Sequence, residues 1–359
     1  MVSDFFGIRV GPKRCLGVDI GTSAIKIVEL SQQGKRKKLD NYGEIEAVSL
    51  YEKPFRTFEK STLTIDNSDV VKAITAILKE ARMKTNKAYF SLPDFSTFFT
   101  AFRLPSMTKE ELPKAVQYEA RQHIPLPISE VVLDWQVINQ KTIDKKISDF
   151  NILLVAVPNE VIQQYQDIAR FSKLEILGLE AEVFGLVRSL IKEEDKSTVI
   201  LFDLGARSTT VSIVDSGVIK ISHSFDTSGS DFTNLIARGL NLEMREAEKV
   251  KKEQGLLSSG KSAAREAVLP MIDLILGEAK KISQDFYLQE SRKPQKIILA
   301  GGSAFLPGLV EYFSEVMGIG VEIADPFADT YYPPILNETL KKMGPAFAVA
   351  VGTALRGIE

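Results

Sequence analysis

One cysteine, two histidines and one tryptophan occur in 359 residues. Cys15 alone excludes an intrachain disulfide framework and a multi-cysteine zinc site, and His123 with His223 are too few for a histidine-rich metal centre. The same scarcity predicts a reducing, cytoplasmic setting. An excess of one charge is missing too: 45 Lys plus Arg against 47 Asp plus Glu leave a net charge of -2, so no global field draws the chain to nucleic acid or to an anionic membrane. No run approaches the ~18 apolar residues of a membrane span, and the opening MVSDFFGIRVGPKRCLG lacks the apolar core of a signal peptide. What remains is an ordinary globular composition, 44% hydrophobic and 26% charged. At ~150 residues per domain the length predicts two domains or one two-lobed body.

From Arg14 the chain reads strand, turn, strand, turn, strand, with the cluster Lys35 to Lys38 at a hairpin tip. Apolar spacing predicts helices over 68–82 and 108–124, paired strands in VVLDWQVIN and SDFNILLVAVP, and a helix from Asn159, which is placed to cap it. STVILFDLGARSTTVSIVDSGVIKISHSF then repeats the opening plan, because Asp19-Ile20-Gly21 and Asp203-Leu204-Gly205 each end an apolar strand and lead into a second one. Helices follow around 229–253 and over 262–289, then a short buried strand at 296–299 running into Ala300-Gly301-Gly302-Ser303, and a helix after Pro307.

Two such turns facing each other suit a nucleotide with its metal. Backbone N–H groups at Gly21, Gly205 and Ala206 can approach phosphate oxygens, Thr22, Ser23, Ser208 and Thr209 add hydroxyl donors, and Lys26 neutralises charge. Asp19 and Asp203 repel phosphate, so their role is to hold the waters of Mg2+ that bridges to it. Gly301, Gly302 and Ser303 deliver bare backbone on which a purine can stack. Either turn alone reads more readily as a plain hairpin with glycine at a positive φ, and the nucleotide reading rests on all three elements together.

In that order the three strings resemble the two phosphate motifs and the adenosine motif of the actin-like ATPase superfamily. Within it, GVDIGTSAIKIVEL, VQYEARQHIPLPISEVVLDWQVI, LEAEVFGLVR and DLGARSTTVSIVDSG resemble the PilM family of type IV pilus assembly proteins over nearly the whole chain. The resemblance implies an α/β, two-lobed fold of duplicated ribonuclease-H-like domains with a displaced subdomain of the kind found in FtsA. It implies a tail at 1–15, a first lobe at 16–190 containing the extra subdomain at about 87–178, a second lobe at 191–345, and a connecting helix at 346–359. Helices at 179–191 and 344–357, rich in small residues, are implied to cross at the hinge. ATP and Mg2+ are the implied ligands, with Glu248 and Lys251 at the ribose and adenine and Glu180 or Glu182 orienting a water for weak hydrolysis. A charged, solvated helix face is the competing reading for all four. The implied partner is the cytoplasmic N-terminal peptide of an inner-membrane protein like PilN, alongside other pilus components and self-association. The run Tyr89 to Leu104 is a candidate lining for its groove, or else core. Arg207 stands where small or hydroxyl residues are usual, and its side chain either reaches the nucleotide or turns outward. A filament-forming protein of the MreB or FtsA type is the alternative, and a small-molecule kinase a weaker one, since no acceptor-site string is found. No amphipathic anchor follows ALRGIE, so recruitment to the membrane through a partner is expected.

Overall fold

The computed structural model describes residues 13–34, 36–47, 54–59, 62–65, 67–143, 146–257 and 262–359. Residues 1–12 of the expected tail and Lys35 of the expected hairpin tip lie outside them. Strands β1 (Arg14–Ile20), β2 (Ala24–Gln33) and β3 (Arg36–Glu46) form an antiparallel meander. Arg14 and Cys15, assigned above to the tail, are thus the start of the sheet. A small hairpin follows, β4 (Arg56–Glu59) with β5 (Thr62–Ile65), and then helix α1 (Asn67–Glu80). Strand β6 (Lys87–Leu92) pairs parallel with β1.

Between β6 and the next strand of that sheet the chain inserts a separate unit. It consists of β7 (Phe98–Pro105), α2 (Leu112–His123), β8 (Val131–Ile143) and β9 (Lys146–Pro158), with sheet order β7-β9-β8. Val116, Ala120, Ile152 and Leu154 form its own core. This unit is narrower than the expected 87–178, because α3 (Asn159–Phe171) and β10 (Glu175–Ala181) return to the first sheet, where β10 pairs parallel with β6. Asn159 does not cap α3. Its amide donates to Ser129 O at 2.9 Å and Pro158 takes the cap position.

Helix α4 (Glu182–Leu190) leads to the second lobe. There β11 (Thr198–Leu204), β12 (Thr209–Asp215) and β13 (Val218–Phe225) repeat the meander. Helices α5 (Gly229–Leu240), α6 (Met244–Gln254) and α7 (Ala263–Glu290) come next. Then β14 (Lys296–Ala300) pairs parallel with β11, α8 (Leu309–Met317) follows, and β15 (Gly320–Ile323) pairs with β14. Strand order β13-β12-β11-β14-β15 reproduces β3-β2-β1-β6-β10, so the duplication read from two short turns extends to whole sheets. β16 (Thr330–Tyr331) extends the first sheet beyond β3, and α9 (Asn337–Arg356) closes the chain.

Strands β1, β2, β11 and β12 are buried along most of their length and so lack the alternation of a one-sided sheet, whereas β3 and β13 are only partly covered. In the first lobe Leu16, Val18 and Ile20 point toward the core shared with α1 and α3, while Cys15, Val28 and Leu30 meet α9. Helix α9 passes so close to β1 that a Cβ on Gly17 would lie 2.0 Å from Ala350 O. It also crosses α4, where a Cβ on Gly352 would lie 1.8 Å from Gly185 O. The close crossing expected from small residues is therefore present, although residues 179–181 are strand rather than helix because they pair with β6.

Candidate functional site

The two Asp-x-Gly turns close in the same way. Gly21 N donates to Ala24 O at 2.9 Å and Gly205 N to Ser208 O at 3.1 Å, and a Cβ at either glycine would come within 2.8 Å of the same carbonyl. Close backbone approach, not a positive φ, is what demands glycine here. The first turn is braced by the segment after β3, since Thr22 O accepts from Phe55 N and Ser23 O from Ala47 N. The second is braced by α5, with Gly205 O accepting from Gly229 N and Ala206 O from Ser230 N. Thr209 is buried and donates to Thr227 O at 2.6 Å, so its hydroxyl serves the fold rather than the turn mouth. Arg207 turns outward into a two-pronged pair with Asp226, which resolves the alternatives left by the sequence.

Four carboxylates from four elements converge beside these turns. Asp19, at the end of β1, accepts from Ser91 Oγ at 3.0 Å. Glu182, the first residue of α4, accepts from Arg56 Nη2 at 2.9 Å and from Asp94 N at 3.3 Å. Asp94 answers by accepting from Val183 N at 3.2 Å, a reciprocal cap made between residues far apart in the chain. Its other carboxylate oxygen is buried without a partner. Asp203, at the end of β11, faces this group from the second lobe. Burial, reinforced by Glu182 and Asp19, pushes its pKa up to about 7 against the opposing pull of Lys26 and Arg56. Burial and then Glu182 hold Asp94 well above the usual carboxylate range, and Asp203 adds to the effect. Burial likewise raises Glu182, outweighing its pairing with Arg56. The cleft thus carries more anionic than cationic groups and suits a bound cation. Among the described residues no three carboxylate, imidazole or thiol groups stand close enough to hold a metal by themselves, so such an ion must bring further ligands such as phosphate and water.

Glu180 is elsewhere. It makes a two-pronged pair with Arg188 at 2.6 and 2.9 Å, and Arg188 also donates to Gly352 O where α4 crosses α9. Of the two glutamates read as water-orienting candidates, only Glu182 faces the aspartates.

The third element adjoins the second turn. Gly301 has φ +87°, and a Cβ there would lie 2.5 Å from Asp203 Oδ1. Ser303 N donates to Leu204 O at 3.1 Å, while a Cβ on Gly302 would meet nothing within 4 Å. Gly302 therefore offers backbone to open space. Lys251 and Glu248 lie nearby on α6, but Lys251 is committed: its ammonium donates to Gly229 O at 3.0 Å and Thr233 Oγ1 at 2.9 Å and pairs with Glu248 Oε2 at 2.7 Å. Three donors meet three acceptors, tying α6 to the first turn of α5. Lys26 reaches toward Glu44 at 4.0 Å and is close enough to Asp203 to lower its pKa.

The apolar run considered as a groove lining is largely core. Phe90 and Leu92 are buried beneath α1 and α3, Phe102 and Leu104 inside the inserted unit, and Tyr89 packs against the α9 side. Arg56 and Asp94 were missed by sequence reading. The signal available for Asp94 was its place after Pro93 in a turn between two strands, which reads as ordinary turn chemistry.

Two sheets that share one five-strand order, the first extended by β16, joined by a crossing helix pair around a cleft lined by paired Asp-x-Gly turns, define an actin-like ATPase fold. MreB 5 of Spiroplasma citri, solved with bound AMPPNP, shares it at a TM-score of 0.51, 14% identity and 96% coverage of both chains. Cell division protein FtsA of Pseudomonas aeruginosa is 21% identical over 395 residues, covering 97% of this chain and 90% of FtsA. The chain belongs to the family of type IV pilus assembly protein PilM, whose family model matches residues 17–358. A solved PilM-PilN type IV pilus biogenesis complex superimposes with a TM-score of 0.82 at 26% identity, covering 96% of this chain and 98% of that one. Among the described residues no helix is long and apolar enough to cross a membrane.

Proposed function

We propose that this protein is an ATP-binding cytoplasmic assembly platform of the type IV pilus machinery, which holds the N-terminal cytoplasmic peptide of a PilN-like inner-membrane protein and reaches the membrane through it. The observation that carries the nucleotide half is the meeting of Asp19 and Asp203 across the cleft, with Gly302 presenting open backbone beside the second turn. Family membership and the likeness to the PilM-PilN complex support the partner half.

Bound Mg2+ supplies charge neutralisation between carboxylates and phosphates. The remaining roles fall to the chain. N–H groups of the two glycine turns approach phosphate oxygens, and the hydroxyls of Thr22, Ser23 and Ser208 add donors. Asp19 and Asp203 accept from the metal's waters, Lys26 offsets charge, and Gly301, Gly302 and Ser303 form the purine floor. Glu182 is the group placed to orient a water, while Glu248 and Lys251 support α5 at the edge of the site. Calorimetry with Mg-ATP tests the reading: Asp19→Ala should weaken binding at least about tenfold, the worth of one strong charge-assisted contact. Unchanged affinity refutes the nucleotide site. Capture of the protein by a synthetic N-terminal peptide of the partner, with and without ATP, tests the other half.

A further inference from the structure

Arg56 begins β4, a segment in which the sequence shows no site pattern, yet its side chain is only 9% exposed and ends inside the cleft. Nη2 donates to Glu182 Oε1 at 2.9 Å, and Nε makes a long contact of 3.5 Å with Thr22 Oγ1 in the first glycine turn. Nη1 is buried without a well-formed hydrogen bond, and the likewise buried hydroxyl of Tyr165 lies close enough to the guanidinium to serve only as a weak, neutral acceptor. A guanidinium carries five N–H donors in a rigid fork, and a buried donor without a good acceptor keeps a desolvation cost that a well-placed acceptor removes. Arg56 is thus held by one good bond in a pocket where it has donors to spare. The fork matches the oxygens of a phosphate, which can accept two parallel bonds and carries more charge than a carboxylate.

Position along the cleft decides which phosphate. Gly302 belongs to the second lobe, beside the Asp203 turn, whereas Arg56 joins the first-lobe turn to the carboxylate placed to orient a water. A nucleotide with its purine at Gly302 extends its phosphate chain toward Arg56. We infer that Arg56 reads the terminal phosphate of a nucleoside triphosphate: its guanidinium turns from Glu182 to the γ-phosphate oxygens, so the site prefers triphosphate to diphosphate and Glu182 is released only when triphosphate is present. The inference rests on the nucleotide reading above. With a diphosphate no γ-phosphate competes for the fork, and the Arg56–Glu182 pair stays closed.

Calorimetric affinities of the full chain for Mg-ATP and Mg-ADP test it. The wild type should prefer ATP. Arg56→Gln should lower the ATP-to-ADP preference at least about tenfold by weakening ATP, with ADP changed less than about twofold. Because Arg56→Gln leaves Glu182 buried without its cation, the double variant Arg56→Gln with Glu182→Gln removes the charged pair as a unit and should show the same collapse. A general loosening of the fold weakens both nucleotides together and leaves the ratio alone. Retention of the wild-type ratio in both variants, or equal affinity for ATP and ADP in the wild type, overturns the role of Arg56 while the nucleotide site stands. Failure of the wild type to bind either nucleotide overturns the site itself.

Discussion

Replacing Asp203 with Asn should stabilise the empty protein and impair the liganded one. The carboxyl's ordinary value of 3.8 applies in the unfolded chain, whereas in the fold burial and the carboxylates of Glu182 and Asp19 push it up to about 7. Between those values the folded state keeps a proton that the unfolded state releases, so stability falls as pH climbs from about 4 to about 7 and then levels off. Three units at about 1.4 kcal/mol each set a ceiling of about 4 kcal/mol, and water at the mouth of the cleft reduces this to about 1–2 kcal/mol. The asparagine side chain has no charge to bury, so at pH 8 the empty Asp203→Asn variant should melt about 2–8 °C higher than the wild type, taking each lobe as an unfolding unit of ordinary size. Its decline in melting temperature between pH 5 and 8 should be shallower, the residual slope coming from Asp94 and Glu182, whose pKa values are also raised. Added Mg-ATP should reverse the ranking, because the variant lacks the acceptor for the metal's waters. Differential scanning fluorimetry across pH, with and without Mg-ATP, reads all three effects. A variant that melts lower than the wild type at pH 8, or keeps its full pH slope, refutes the argument that anionic crowding at Asp203 is stored for a cation.

Gly302→Val should abolish ATP binding while leaving pyrophosphate binding and the melting temperature unchanged, since its side chain enters open space; calorimetry showing intact ATP affinity refutes the purine floor. Gly301→Ala should destabilise the second lobe by about 2–4 kcal/mol in urea unfolding, combining a positive φ with contacts to Asp203 and Leu204. Glu182→Gln should slow any turnover of bound ATP at least about tenfold. Glu180→Gln should leave that rate alone and lower stability by loosening Arg188, and the opposite pattern in a phosphate-release assay exchanges the two roles.

Local chemistry made the two turns legible, because a strand ending in Asp-x-Gly is a feature of adjacent residues, and the helix over 262–289 was legible because its stripe faces one continuous core. The same locality explains the shortfalls. Lys251 is an ordinary charge on a helix until α5 folds against it and supplies Gly229 and Thr233. Asp94 acquires its role from Val183 and Glu182, far along the chain, and Arg56 from Glu182, also distant, so no window of sequence contains either site. Residues 179–181 carry a helix-compatible pattern, yet an open edge on β6 claims them as strand. The proline-punctuated aromatics from Tyr89 to Leu104 fit a groove or a core equally well, and three separate cores decided between them.

The meeting of Gly185 with Gly352 has a mechanical meaning. The chain passes between the lobes along α4 and along α9, and the two passages touch backbone to backbone at this point. No side chain intervenes to act as a cushion, so the joint works like a pin in a pair of scissors, fixing the separation of the blades at the pivot while leaving their angle to be set at the tips. A methyl group inserted there would be a shim under the pin. Its thickness would be multiplied by the length of each blade, and the two glycine turns would be spread apart without a single residue of the cleft having changed.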